Sequence, residues 1–260
     1  MHYDLSDQYH HRSSPIHHLD PRVKVVVTFF YILALSLTPE GAWWIFGFFL
    51  VILLSTVWLA DLDLTFTIKR SFIVLPFVLA AVALPFTTPG SSLLKIPGLG
   101  WTVTEPGMIR FLSILARSWQ AVQAAILLTA TTRFPDLLWA LSALRFPKPL
   151  VSTIGFMYRY LFIVADEALR MIRARTARSA QVTGRARPSI RWHGRVAGSM
   201  VGSLFLRTLA RSERVYAAMI ARGYDGHMRS LIRFRMTNID WIASVLTVLL
   251  LGTPLIVSLR

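Results

Sequence analysis

Two short motifs close two helical patterns of this chain with the same chemistry. Ala177-Arg178-Ser179 and Ala221-Arg222-Gly223 each set an arginine between small residues. A guanidinium at a helix C-terminus reaches past the helix end, where it can form paired hydrogen bonds to a carboxylate or to carbonyl groups. The small neighbours let another surface come close. The macrodipole also favours a cation in the last helical turn, so capping is the plainer reading of both arginines. The residues ahead of the motifs repeat too. Glu167, Met171, Ala174 and Arg178 have the spacing of Arg211, Val215, Ala218 and Arg222, and each set falls on one helical stripe. Glu213 and Arg214, beside Arg211, are expected to brace the helix pair.

Other constellations carry weaker chemistry. Asp61 and Asp63 form a pair of the kind that holds Mg²⁺ in membrane transferases, but their loop supplies no further acid. His2, His10, His11, His17 and His18 cluster near the start and have the donors for a divalent metal. That segment is expected to be a cytoplasmic lead-in, so no metal site is assigned. Cysteine is absent, which excludes disulfides and thiolate sites. The phosphate-binding loop with its lysine is absent as well, so no ATP site is encoded.

The elements that must position these residues follow from hydropathy. The chain is 54% hydrophobic, with a mean hydropathy of +0.53. Five apolar runs, Val23–Thr38, Gly41–Ala60, Ser71–Phe86, Met108–Thr132 and Ile239–Leu259, approach the ~20 residues that cross a ~30 Å hydrocarbon core. The expectation is an all-α polytopic membrane protein with about five transmembrane helices and a cytoplasmic helical coupling domain. It divides into a cytoplasmic segment 1–22, helices 1–4 over 23–132, coupling helices over 133–236 and a last transmembrane helix over 237–260. No basic stretch followed by an apolar core opens the chain, so insertion is expected to rely on the first span. Arg12, Arg22, Lys24, Lys69 and Arg70 alternate with poorly charged turns, which puts the N-terminus and the coupling helices in the cytoplasm. Arg110 and Arg117 fall inside the fourth run, seven residues apart on one face, where a contact to a carbonyl or another span is expected.

Arg170 to Arg235 holds fifteen arginines against two acids, Glu213 and Asp225. Beside membrane spans such an island sets orientation and meets anionic lipid, so nucleic acid is not expected as a partner. Leu150–Ala165 is apolar enough to be a sixth span, but Tyr158, Arg159 and Tyr160 interrupt it. The expectation is one long helix over Pro149–Ser179 and a second from Ser189 to Arg222. Gly194, Gly198 and Gly202 would give the second helix a face for tight packing. Gly223 stands where a C-terminal glycine cap belongs.

Here the residues match a known family. Arg211-Ser-Glu-Arg-Val-Tyr-Ala-Ala-Met-Ile-Ala-Arg-Gly-Tyr224 strongly resembles the second signature of the transmembrane T components of energy-coupling-factor (ECF) transporters, in particular the CbiQ type serving cobalt and nickel uptake. Tyr158-Arg-Tyr-Leu-Phe162, Asp166-Glu-Ala168 and Ala174-Arg-Thr-Ala-Arg-Ser179 resemble the first signature and its lead-in, and His18-Leu-Asp-Pro-Arg-Val-Lys24 fits the start of the first span. The resemblance implies that each Ala-Arg-small motif engages one of two ABC ATPase subunits. Arg178 and Arg222 would be the docking arginines, and Ala177, Ser179, Ala221 and Gly223 would allow close approach. Ser179 stands where many members have glycine. ATP and Mg²⁺ would sit on the ATPase, and a separate substrate-binding membrane S component would recognise the ion. The chain itself would be no enzyme and bind no cofactor. The alternative is a polytopic membrane enzyme acting on lipid headgroups through Asp61 and Asp63.

Overall fold

The computed structural model describes residues 14–62, 71, 75–95, 102–178, 189–226, 234 and 236–258. The chain divides into two compact units, Met1–Leu144 with Ile232–Arg260, and Arg145–Leu231. The first unit contains α1 (Pro15–His18), α2 (Pro21–Leu37), α3 (Trp43–Leu59), α4 (Leu75–Ala81), α5 (Leu84–Thr87), a hairpin of β1 (Ser92–Lys95) and β2 (Thr102–Thr104), α6 (Glu105–Thr131) and α7 (Phe134–Ala143). The second unit is α8 (Lys148–Arg178) and α9 (Ile190–Ala221), after which α10 (Asn238–Ser258) returns to the first. The all-α expectation holds, with the short antiparallel hairpin as a minor addition.

Local chemistry sets the boundaries. Asp20 caps α2 by accepting from the Arg22 amide at 2.8 Å, and Pro21 occupies the first turn, where its missing N–H costs nothing. The third apolar run is not one helix. It is broken between α4 and α5, because Pro85 has no N–H to give and its ring collides with the carbonyl four residues back. Among the described residues, α6 is the one helix long and apolar enough to cross a membrane, while Trp43–Leu59 and Asp240–Thr253 are shorter apolar helices.

The core of the first unit gathers Tyr31, Ala34 and Leu35 of α2, Ile45, Phe46, Phe49, Leu53 and Val57 of α3, Ala124 and Ala130 of α6, and Leu251 of α10. The opposite faces of α2 and α3 expose Phe29, Leu37, Val51 and Trp58. Such outward apolar faces suit lipid.

One face of α6 is polar and is spent on its neighbours. Arg110, Ser113, Arg117 and Gln120 are spaced three and four residues apart, so they share a stripe. Arg110 Nε meets Glu40 Oε2 at 2.8 Å, Ser113 Oγ accepts from the Gly41 amide at 3.1 Å, and Arg117 Nη2 donates to the Thr38 carbonyl at 2.7 Å. Gln120 donates to the Phe46 carbonyl at 3.1 Å and faces the Tyr31 hydroxyl at 3.2 Å. These groups hold the α2–α3 turn, where Gly41 adopts φ +80°. The expected structural contact for Arg117 is therefore a C-terminal carbonyl of a neighbouring helix.

At the other end of α6, buried Lys24 donates to the carbonyls of His17 (3.1 Å) and Thr131 (3.0 Å). Asp240 accepts from the Asp20 amide at 2.9 Å and from the amide and hydroxyl of Thr237 at 2.8 and 2.7 Å. The Arg22 guanidinium lies 4.3 Å from the centre of the Trp139 ring. These contacts tie α1, α2, α6, α7 and α10 together at one end.

Arg117→Met tests the clamp. It leaves the Thr38 carbonyl without its donor, and the expected cost is about 1–3 kcal/mol, read as a lower thermal midpoint of the purified protein in detergent.

Candidate docking site

The second unit is a pair of antiparallel helices. Arg175 meets Trp192 (5.5 Å, cation to ring centre), Met171 meets Ser203 (3.9 Å), Glu167 pairs with Arg207 (2.9 Å) and Phe156 packs edge-on against Tyr224 (6.1 Å between ring centres). As the partner numbers rise on α9 they fall on α8, which fixes the direction. Lys148–Arg178 and Ile190–Ala221 lie within a residue or two of the helices expected from the sequence. Ser189 caps α9, its hydroxyl accepting from the Trp192 amide at 3.3 Å.

The two motifs close the two helices. Ala177 and Arg178 are exposed at the end of α8, and Ser179 lies outside the described residues. Ala221, Arg222 and Gly223 are exposed at the end of α9. Gly223 takes φ +79°, and its amide donates to the Ile220 carbonyl at 2.9 Å while that of Tyr224 donates to Met219 at 3.0 Å. This is the Schellman closure, which satisfies carbonyls the helix end would leave bare. A methyl group at Gly223 would meet nothing within 4 Å, so the backbone angle alone requires glycine and the space beside it is open.

Because the helices are antiparallel, Arg178 and Arg222 stand at opposite ends of the pair. From Phe156, opposite Tyr224, to Arg178 is about 22 residues, on the order of 33 Å at the helical rise. The two arginines cannot grip one small group together. Among the described residues neither makes an ion pair within the chain.

The stripes ahead of the arginines differ in their surroundings. Glu167, Met171, Ala174 and Arg178 all border a cleft between α8 and α9. On the second stripe, Arg211 and Val215 line a larger apolar groove at the other end of the pair, while Ala218 and Arg222 are exposed. Of the residues expected to brace the helices, Glu213 lines that groove and Arg214 Nε donates to its own helix, at the Ala210 carbonyl (3.2 Å). Among the described residues, the ion pair that crosses between the helices is Glu167 with Arg207.

The glycine stripe does not pack as expected. Nothing lies within 4 Å of a methyl group placed on Gly194, Gly198 or Gly202. The face of α9 turned to α8 is Trp192, Val196, Met200, Ser203 and Arg207. A helix turns ~100° per residue, so glycines two positions further on point roughly 200° away. Elsewhere, Asp61 adopts φ 53° where α3 ends, its amide bonded to the Trp58 carbonyl at 3.1 Å. Its would-be partner Asp63 lies outside the described residues, as do His2, His10 and His11. His17 and His18 belong to α1, with His17 Nδ1 2.7 Å from Ser14 Oγ.

A sequence model of the family described as CbiQ, cobalt transport protein, matches residues 12–231. The chain belongs to that family. It is 32% identical over 174 residues to the cobalt transport protein CbiQ of Rhodobacter capsulatus, covering 65% of this chain and 68% of that one. It is 26% identical over 228 residues to the energy-coupling factor transporter transmembrane protein EcfT of Staphylococcus aureus, with 84% and 82% covered. To the nickel permease LarQ of Lactiplantibacillus plantarum it is 35% identical over 97 residues, 37% and 33% of the two chains. The resemblance carried by Arg211–Tyr224 is thus borne out as CbiQ-type T-component membership. Arg207 and Trp192, which complete the pairing within this CbiQ-family unit, drew no attention in the sequence. The signal available was Glu167, an acid facing an arginine-rich helix.

Gly223→Val forces a β-branched residue into left-handed backbone, at a cost of about 1–2 kcal/mol. The expected outcome is roughly tenfold faster hydrogen exchange at the amides of residues 223 and 224, with the rest of α9 unaffected.

Proposed function

We propose that this chain is the transmembrane coupling (T) subunit of an ECF-type ABC importer for cobalt or nickel ions. The observation that carries the reading is the pair of arginine-ended helices whose ends lie on the order of 33 Å apart. Two separated, exposed arginines suit two separate receptor grooves, one on each of two ATPase copies. Arg178 and Arg222 enter those grooves and bond to carboxylate or carbonyl groups there. Ala177, Ser179, Ala221 and Gly223 keep the approach clear. Family membership supports a transport role, and the names of the relatives supply cobalt, nickel and the energy-coupling factor as the context.

The mechanism is mechanical. ATP and Mg²⁺ bind on the ATPase pair, whose closure draws the two grooves together and carries the docked helix ends with them. α8 and α9 change their crossing, and the separate S component, which holds the ion, reorients in the membrane. This chain performs no chemistry on ATP and holds no cofactor. Five spans, from α2, α3, the α4–α5 segment, α6 and α10, anchor it in the cell membrane, with the N-terminus and the α8–α9 pair on the cytoplasmic side. That orientation follows from the basic loops and the arginine island. The lipid-headgroup enzyme is not favoured, since the family is one of cobalt transport proteins.

Co-purification of the full chain with its ATPase from membranes, comparing wild type with Arg178→Glu plus Arg222→Glu, tests the docking. The expected outcome is loss of the ATPase from a variant that still folds. Undiminished retention would return both arginines to the role of helix caps.

A further inference from the structure

The two ends of the α8–α9 pair differ in chemistry as sharply as they agree in motif. At the Arg178 end, a cleft of about 610 Å³ is lined by Arg170, Arg175, Arg178 and Arg207 around Trp192. Among the described residues, the one acid in its wall, Glu167, is already taken by Arg207 at 2.9 Å. Arg175 is steadied over the Trp192 ring. Arg170, Arg175 and Arg178 therefore present guanidinium groups that pair with no carboxylate among the described residues. The other end has a groove of about 820 Å³ walled by Phe156, Tyr160, Leu209, Tyr216 and Met219, where Arg211 and Glu213 have opposite signs.

We infer that the Arg178 end receives an acidic loop of its docked ATPase copy and is held mainly by charge, whereas the Arg222 end is held mainly by apolar contact. This rests on the docking reading given above. Arginines converging on one cleft match carboxylates in number and geometry, because each guanidinium offers a planar fork of donors. The cleft is concave, so a protruding loop enters it where a flat bilayer surface would touch only its rim. Charge-held contacts weaken as salt shortens the screening length from ~10 Å at 0.1 M to ~3 Å at 1 M. Apolar contacts do not weaken in that way. Two docked ATPase copies are then released at different salt concentrations, the Arg178-bound copy first.

The test uses the full chain with its ATPase in nanodiscs, without nucleotide, washed from about 0.05 to about 1 M NaCl while retained ATPase copies per chain are counted. Wild type is expected to fall from two copies to one and then hold. Arg170→Gln plus Arg175→Gln, outside both motifs, is expected to move the first release several-fold lower in salt and leave the second unchanged. If that double variant does not fold, Arg170→Gln alone, at an exposed position, gives a smaller shift in the same direction. Simultaneous release of both copies, or no shift in either variant, overturns the inference. So does a shift seen in nanodiscs containing phosphatidylglycerol but absent in pure phosphatidylcholine, which would assign the cleft to the membrane. If Arg178→Glu plus Arg222→Glu fails to displace ATPase even at low salt, docking itself is wrong. Displacement there with salt-indifferent release sinks only the asymmetry.

Discussion

The Glu167–Arg207 ion pair and the Met171–Ser203 contact hold α8 and α9 in antiparallel register, and that register decides where Arg178 and Arg222 can reach. Parallel helices would bring both C-terminal motifs to one end, able to enclose a single ligand. Antiparallel helices send them apart, so any body that engages both must be large or must come in two copies. The ion pair is exposed on its Arg207 side, and such pairs contribute little to stability alone. Its consequence lies in direction and register more than in energy. Cation–π contact at Trp192 and ring contact at Tyr224 fix the two ends of the same alignment.

The first unit answers a different constraint. A helix end packed away from water cannot leave its carbonyls and amides bare, because nothing else there satisfies them. The turn from α2 to α3 carries such groups: Ser113 of α6 accepts from the Gly41 amide and Arg117 donates to the Thr38 carbonyl, while Arg110 pairs with the Glu40 side chain. The residues that count against α6 as an apolar span are thus the ones that let its neighbours reverse direction. Lys24 does the same for the end of α6, capping the Thr131 carbonyl with a charge buried among helices.

Much of this was legible because local rules act within a few residues. Asp20-Pro21 starts α2 and Ser189 starts α9 through side-chain caps, and Gly223 ends α9 through its backbone amide. The long helix through Leu150–Ala165 was legible from Tyr158, Arg159 and Tyr160, which spoil the run as a span. What a stripe of residues faces was harder to read. Gly194, Gly198 and Gly202 have the period of a packing seam, yet the seam with α8 runs through Trp192, Val196 and Met200. Periodicity names the faces of a helix; it does not choose between two of them, and here an aromatic and aliphatic face won over a glycine face. The break at Pro85 was legible in principle, but the hydropathy of the run outweighed it.

If the chain transmits force as proposed, a further requirement falls on the helix ends themselves. A docking arginine on a frayed last turn would move without moving its helix, since the turn would unwind before the load passed along it. Helix ends fray when their carbonyls lack partners, and Schellman bonds from the amides of Gly223 and Tyr224 remove that weakness beside Arg222. The same glycine leaves open space on the side where the proposed docking would bring a partner's surface close. Under that proposal, one residue without a side chain would meet a mechanical and a steric demand at once. This is a physical reason for the third position of the motif to be small, independent of any need for the residue itself to be recognised.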